Sequence, residues 1–163
     1  MKLDMAMLSD AATALPDGKL YIHGGGVTRI TATVLPWTQP QLAIVARFLL
    51  EEGDEDESHM LGLTFTNPQG HNMLPETSIE VAPQEQPAAV EGEERFLQLA
   101  LNIAALTFTA DGVYHVGLSL NGETVRSLPI AVIGVAPTGA PSSAPAGTPN
   151  RAARRAKAKR RPA

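Results

Sequence analysis

Between residues 112 and 135 apolar and polar positions alternate on either side of a turn signal, which predicts a β-hairpin. Tyr114, Val116, Leu118 and Leu120 fall on one face, while Val113, His115, Gly117 and Ser119 fall on the other. That period of two belongs to a strand with one buried face. Asn121-Gly122 supplies the two positive-φ positions of a type I′ turn, whose twist suits the flanking strands. Beyond the turn, Leu128, Ile130, Val132 and Val135 carry the apolar run, and Pro129 restricts how that strand can pair. A lone hairpin is marginal in water, so further strands must cover its apolar face.

The rest of the chain supplies them. Residues 2–8 set Leu3, Met5 and Met7 opposite Lys2, Asp4 and Ala6, a first strand with one buried face. Pro16-Asp17-Gly18-Lys19 is turn chemistry: proline pre-sets φ, aspartate bonds back to backbone and glycine takes the left-handed position. Residues 20–24 read as a short strand, Gly24-Gly25-Gly26 as a break or bulge, and 27–34 as a resumed β-branched strand. Pro36 to Pro40 reads as a loop. Residues 41–51 are apolar on both faces, Leu42, Ile44, Ala46, Phe48 and Leu50 against Ala43, Val45, Arg47 and Leu49. A strand covered on both sides, or one at a sheet interface, is expected there. An acidic connection at 52–57 leads to a strand at 58–67 with Leu61, Leu63 and Phe65 inward, then a turn at Pro68-Gln69-Gly70-His71. The irregular stretch 72–94 leaves room for one short strand near 77–81. Residues 95–108 are ambiguous: their composition favours a helix, yet Leu97, Leu99, Leu101 and Ile103 alternate cleanly. Strand is preferred, because the neighbouring segments are strands.

Seven to nine short strands with turns between them predict an all-β fold, an antiparallel β-sandwich that is Ig-like in general shape. The cysteine pair of antibody-type domains, and a tryptophan set between its members, are missing, so only the architecture carries over.

Composition changes this picture mainly at the C-terminal end. The 163 residues fit one domain, and no apolar run is long enough to cross a bilayer. The opening MKLDMAMLSD places Asp4 inside any would-be apolar region and does not read as a signal peptide. Cysteine is absent, which removes disulfide and thiol chemistry. Residues 151–163 hold seven of the thirteen basic residues and no acid, whereas residues 1–150 hold six basic against seventeen acidic residues, a net charge of −11. The expected organisation is a sandwich over 1–135, a Pro/Ala/Gly/Ser linker over 136–150 and a basic tail over 151–163.

Three patches carry a resemblance: LDMAMLSDAATALPDGKLYIHGGGVTRI, QLAIVARFLL and LNIAALTFTADGVYHVGLSLNGETVRSLPIAV. Together they resemble a family of uncharacterised β-sandwich domains from actinobacteria, other bacteria and bacteriophages, including actinobacteriophages. The matching positions are Asp10-Ala11, Asp17-Gly18-Lys19, Gly24, Gly112-x-Tyr114 and Leu128-Pro129-Ile130. The resemblance covers residues 2–133 and implies a fold and a bacterial or phage setting, with no activity.

Reactive groups give little. His23-Gly24-Gly25-Gly26 matches a string of some esterase oxyanion holes, but no Gly-x-Ser-x-Gly elbow accompanies it, and a glycine-rich bulge is the better reading. The run Asp54, Glu55, Asp56, Glu57 lacks the ordered ligand spacing of a calcium loop and reads as a solvated hairpin tip. His23, His59, His71 and His115 are scattered, and His115 sits on a polar face. No catalytic residue, metal ligand or cofactor site is therefore expected. Trp37 is either a partner anchor or a plug at one end of the sandwich. Arg151, Arg154, Arg155, Lys157, Lys159, Arg160 and Arg161 will attract polyanions with salt-dependent strength. Nucleic acid, an acidic protein surface, or no specific partner all remain open for this arm. The expected protein is non-enzymatic and works through protein contacts, as a phage particle accessory protein whose partners would be capsid or tail proteins. It would reside in the cytoplasm or the virion and not in a membrane. The alternative is a nucleic-acid-associated protein binding through its tail.

Overall fold

The computed structural model describes residues 1–82, 90 and 92–135. Among these residues the chain is all-β, with ten strands and no α-helix. The expected linker and basic tail, 136–163, lie outside the described residues, as do 83–89 and 91.

Three strands form one sheet in the order β1 (Lys2–Ser9), β5 (Trp37–Leu50), β8 (Arg95–Phe108). Five form the facing sheet in the order β4 (Arg29–Ala32), β10 (Glu123–Gly134), β9 (Gly112–Leu120), β6 (His59–Thr66), β7 (Thr77–Val81). The ladders are antiparallel, except that β4 runs parallel to β10. The main core lies between the sheets. Leu42, Ile44, Ala46 and Phe48 of β5 meet Leu61, Leu63 and Phe65 of β6, Tyr114, Val116 and Leu118 of β9, and Ile130 and Val132 of β10. Each fully buried side chain of this kind contributes about 1.5–3 kcal/mol of transfer free energy.

The two apolar faces of β5 have two destinations. Its other face, Ala43 and Val45, packs under a small hairpin of β2 (Ala11–Ala14) and β3 (Leu20–His23), with Ala12, Ile22, Met5 and Met7 in the same cluster. The hairpin is pinned by side-chain amides of β8. Asn102 accepts from the N–H of Ala12 and donates to its carbonyl, at 3.2 and 2.8 Å, and Gln98 donates to the carbonyl of Gly18 at 2.6 Å. Arg47, the charge in an otherwise apolar strand, pairs with Asp4 at 2.6 Å and lies over the Phe96 ring at 4.4 Å.

Several elements differ from the sequence reading. The expected loop at 36–40 is strand from Trp37 onward, because Trp37, Thr38 and Gln39 pair with Phe108, Thr107 and Leu106. Pro40 is tolerated because β1 joins β5 only at Ala43, so a single ladder is affected, and Ala105 opposite takes a φ of 55°. A bulge between Leu3 and Met5 splits the supposed single face of β1, sending Leu3, Ala6 and Leu8 to the main core and Met5 and Met7 to the hairpin side. Residues 11–14 form a strand not anticipated, and the expected strand at 27–34 shortens to Arg29–Ala32. Val135 is exposed instead of continuing the core row. The ambiguous segment 95–108 is strand throughout. Asn121 and Gly122 have φ of 50° and 88°, as the turn requires.

The link from β8 to β9 crosses between the sheets, and Tyr114 locks it. Its ring is fully buried and edge-on to Phe108 at 4.9 Å, while its hydroxyl donates to the carbonyl of Ala110 at 2.9 Å and accepts from the Ala110 N–H at 3.3 Å. A tyrosine bonding back to backbone a few residues upstream is a corner device of Ig-type sandwiches.

Candidate interaction face

The hairpin β2–β3 closes the outer surface of the three-stranded sheet, but no described element covers the outer surface of the five-stranded one. Alternation on β9 and β10 decides what that surface presents. Val113, His115, Gly117 and Ser119 are the outward residues of β9, and the ladder sets Ala131, Pro129 and Ser127 beside the first three. Toward the end where β10 finishes the face is apolar, with Val113 47% and Ile133 41% exposed and Val135 next to them at 46%. Toward the middle it becomes a shallow trough of about 330 Å³ lined by Thr64, Thr66, His115, Gly117, Ser119 and Ser127. Two side-chain hydroxyls lie close over backbone glycines here: a Cβ at Gly117 would stand 2.4 Å from the Thr64 hydroxyl, and one at Gly62 would stand 2.2 Å from that of Ser119. His115 Nδ1 lies 3.3 Å from the Ser127 hydroxyl, an exposed pair with no carboxylate among its bonded partners.

A second opening lies between the sheets at their β8–β6 side. It is an apolar cleft of about 200 Å³ lined by Ile44, Leu63, Phe65, Leu74, Leu101 and Ile103.

At the opposite end of the sandwich the acidic connection is not merely a solvated tip. It turns through a short 3₁₀ segment, Asp54–Asp56, that brings Asp54 inward. The Asp54 carboxylate accepts from the N–H of Glu51 at 2.6 Å, pairs with the Met1 ammonium at 2.5 Å and stands 3.5 Å from Nε2 of His59. Burial alone would raise the Asp54 carboxyl. The hydrogen bonds from Met1 and from the Glu51 N–H, and the charges of Met1 and His59, outweigh it and hold the pKa below its ordinary 3.8. Burial likewise opposes the Met1 ammonium, yet the hydrogen bond and charge of Asp54, and those of Glu51, raise its pKa above 8.0.

The residues singled out by sequence are thus dispersed. Arg151, Arg154, Arg155, Lys157, Lys159, Arg160 and Arg161 lie outside the described residues. Trp37 is half-buried against the main core, with its indole N–H donating to Gln39 at 3.3 Å. The three glycines after His23 begin at a bend where Gly24, at a φ of 61°, sits against the Asp10 carboxylate, a close approach that a Cβ would block. Among the described residues no group of three or more His, Asp or Glu side chains is placed to hold a metal ion. Sequence reasoning missed the partnership of His59 with Asn121 and the exposure of Val113 and Ile133. The latter was visible only as apolar residues on the outward parity of two strands.

No curated protein matches the chain. With its fold described, the sequence comparison supplies a family for it: residues 4–133 match DUF6941, a family of unknown function, and the chain belongs to that family.

Proposed function

We propose that this protein is a non-enzymatic β-sandwich module that acts through protein–protein contacts, as an accessory protein of a phage particle or of a phage-bearing bacterium. The observation that carries the reading is the uncovered outer face of the five-stranded sheet, apolar at Val113, Ile133 and Val135 beside the point where the chain leaves the sandwich. Exposed apolar area rimmed by polar residues is a feature of contact surfaces. The linker and the basic arm at Arg151, Arg154, Arg155, Lys157, Lys159, Arg160 and Arg161 follow from that end, so one partner could engage face and arm together with added avidity. On this reading the partner is a capsid or tail protein, the protein resides in the cytoplasm or the virion, and Trp37 is a lesser contact. Phage particles purified from a culture expressing the tagged chain should carry it, and carry less of a Val113→Glu/Ile133→Glu variant. Particles free of the wild-type chain would sink the virion role.

The charge of the arm favours a second reading, association with nucleic acid through the tail. Gel shift on random duplex separates the two. A shift by the full chain but not by residues 1–135, steeply weakened by salt, supports the second.

A further inference from the structure

His59 is buried at 3% exposure, where β6 begins, and its two ring nitrogens face opposite demands. Nε2 lies 3.3 Å from the backbone carbonyl of Asp54 and 3.5 Å from its carboxylate. Nδ1 lies 3.4 Å from the side-chain amide nitrogen of Asn121. That amide cannot simply turn over, because its oxygen accepts the Met60 N–H at 2.8 Å while the Asn121 N–H donates to the Met60 carbonyl at 2.8 Å. The side chain of Asn121 therefore extends the β6 ladder by one rung and presents N–H groups to the ring. Nδ1 must be the acceptor, so the neutral ring carries its proton on Nε2, where Asp54 takes it.

We propose that His59 is a proton-operated latch between the β9–β10 turn and the acidic turn at 54–56. A proton added to Nδ1 from solvent converts that nitrogen into a donor aimed at the donors of Asn121, and the contact breaks. The resulting imidazolium is drawn to Asp54, so acidification trades the clamp on the β9–β10 turn for a tighter hold on the acidic turn. Of the surrounding charges, Asp54 is the anion on the ring and acts in that sense, with Glu51, just past β5, behind it; the Met1 ammonium, just ahead of β1 and paired with both carboxylates, acts against it. Across the ladder, β7 sets Val81 opposite His59, and Glu80 pairs with Met60 on the outward parity. The β9–β10 turn contributes the neutral Asn121.

Nitrogen-15 NMR of the full chain, with amide exchange followed across the titration of the His59 ring, tests this. The neutral ring should show an unprotonated Nδ1. On protonation, the protection factors of the Met60 and Asn121 amides should fall about tenfold, the equivalent of one hydrogen bond, while those of Val116 and Ile130 hold. Asn121→Asp keeps an acceptor for the Met60 N–H and gives Nδ1–H a carboxylate, so in that variant the ring midpoint should rise and the loss of protection should vanish. A proton on Nδ1 of the neutral ring, equal Met60 protection on both sides of the titration, or an unchanged midpoint in Asn121→Asp would each overturn the latch.

Discussion

At the scale of single residues, stability rests on polar atoms that the fold has enclosed and paired. Tyr114 is the clearest case. Removing its hydroxyl in Tyr114→Phe leaves the ring in place but takes a partner from both the N–H and the carbonyl of Ala110. The cost should be about 1–3 kcal/mol, read as a lower denaturation midpoint at unchanged slope. Asp54 makes a pH-dependent contribution. Its folded pKa lies below 3.8, so its stabilisation is fully present above that value and disappears as pH falls through the folded pKa. Asp54→Asn should therefore be less stable than wild type at neutral pH, with the gap narrowing as pH falls below 3.8 in thermal melts. The inward place of Tyr114 was legible from alternation, but the partner of its hydroxyl was not, since a corner between sheets has no period. Asn121 was legible as a turn residue. Its amide as an extra rung, and the choice it forces on His59, depend on strands whose sequence positions differ by about sixty.

At the scale of elements, the long strands were readable and their exceptions were not. The double apolar pattern of β5 foretold cover on both sides, and the structure supplies it with the facing sheet and the small hairpin. The hairpin itself escaped notice on its first strand because Ala11–Ala14 is short and has little side-chain contrast. A bulge reverses parity without leaving a mark in composition, which is why β1 reads as one-faced and has two buried faces. Pro36 and Pro40 read as the bounds of a loop, yet in a strand paired on one side Pro40 costs a single rung. The hairpin hangs on Asn102, so Asn102→Ala should strand the buried N–H and carbonyl of Ala12 and cost about 1–3 kcal/mol. Hydrogen exchange should show the effect mainly at 11–14 and 20–23, with β9 and β10 little changed.

At the scale of the whole molecule, the order of strands was beyond reach of the sequence. The parallel pairing of β4 with β10 joins residues about one hundred positions apart, with no local pattern to announce it. Such non-local ladders are slow to assemble, and β4 has no partner in its sheet until the last strand is in place. A chain ending before Ala131 should accordingly fail to give a cooperative thermal transition, whereas one ending at Val135 should melt as the full-length protein does, since both described core clusters draw only on residues up to Val132. Circular dichroism of the two truncations distinguishes these outcomes.

Because β10 starts beside the turn that holds His59 and runs twelve residues to the far end, the body is about 40 Å long between its poles. Met1 is fastened at one pole and Val135 leaves from the other. Contacts made at the Met1 pole are therefore kept a full strand length from the point where the chain leaves at Val135.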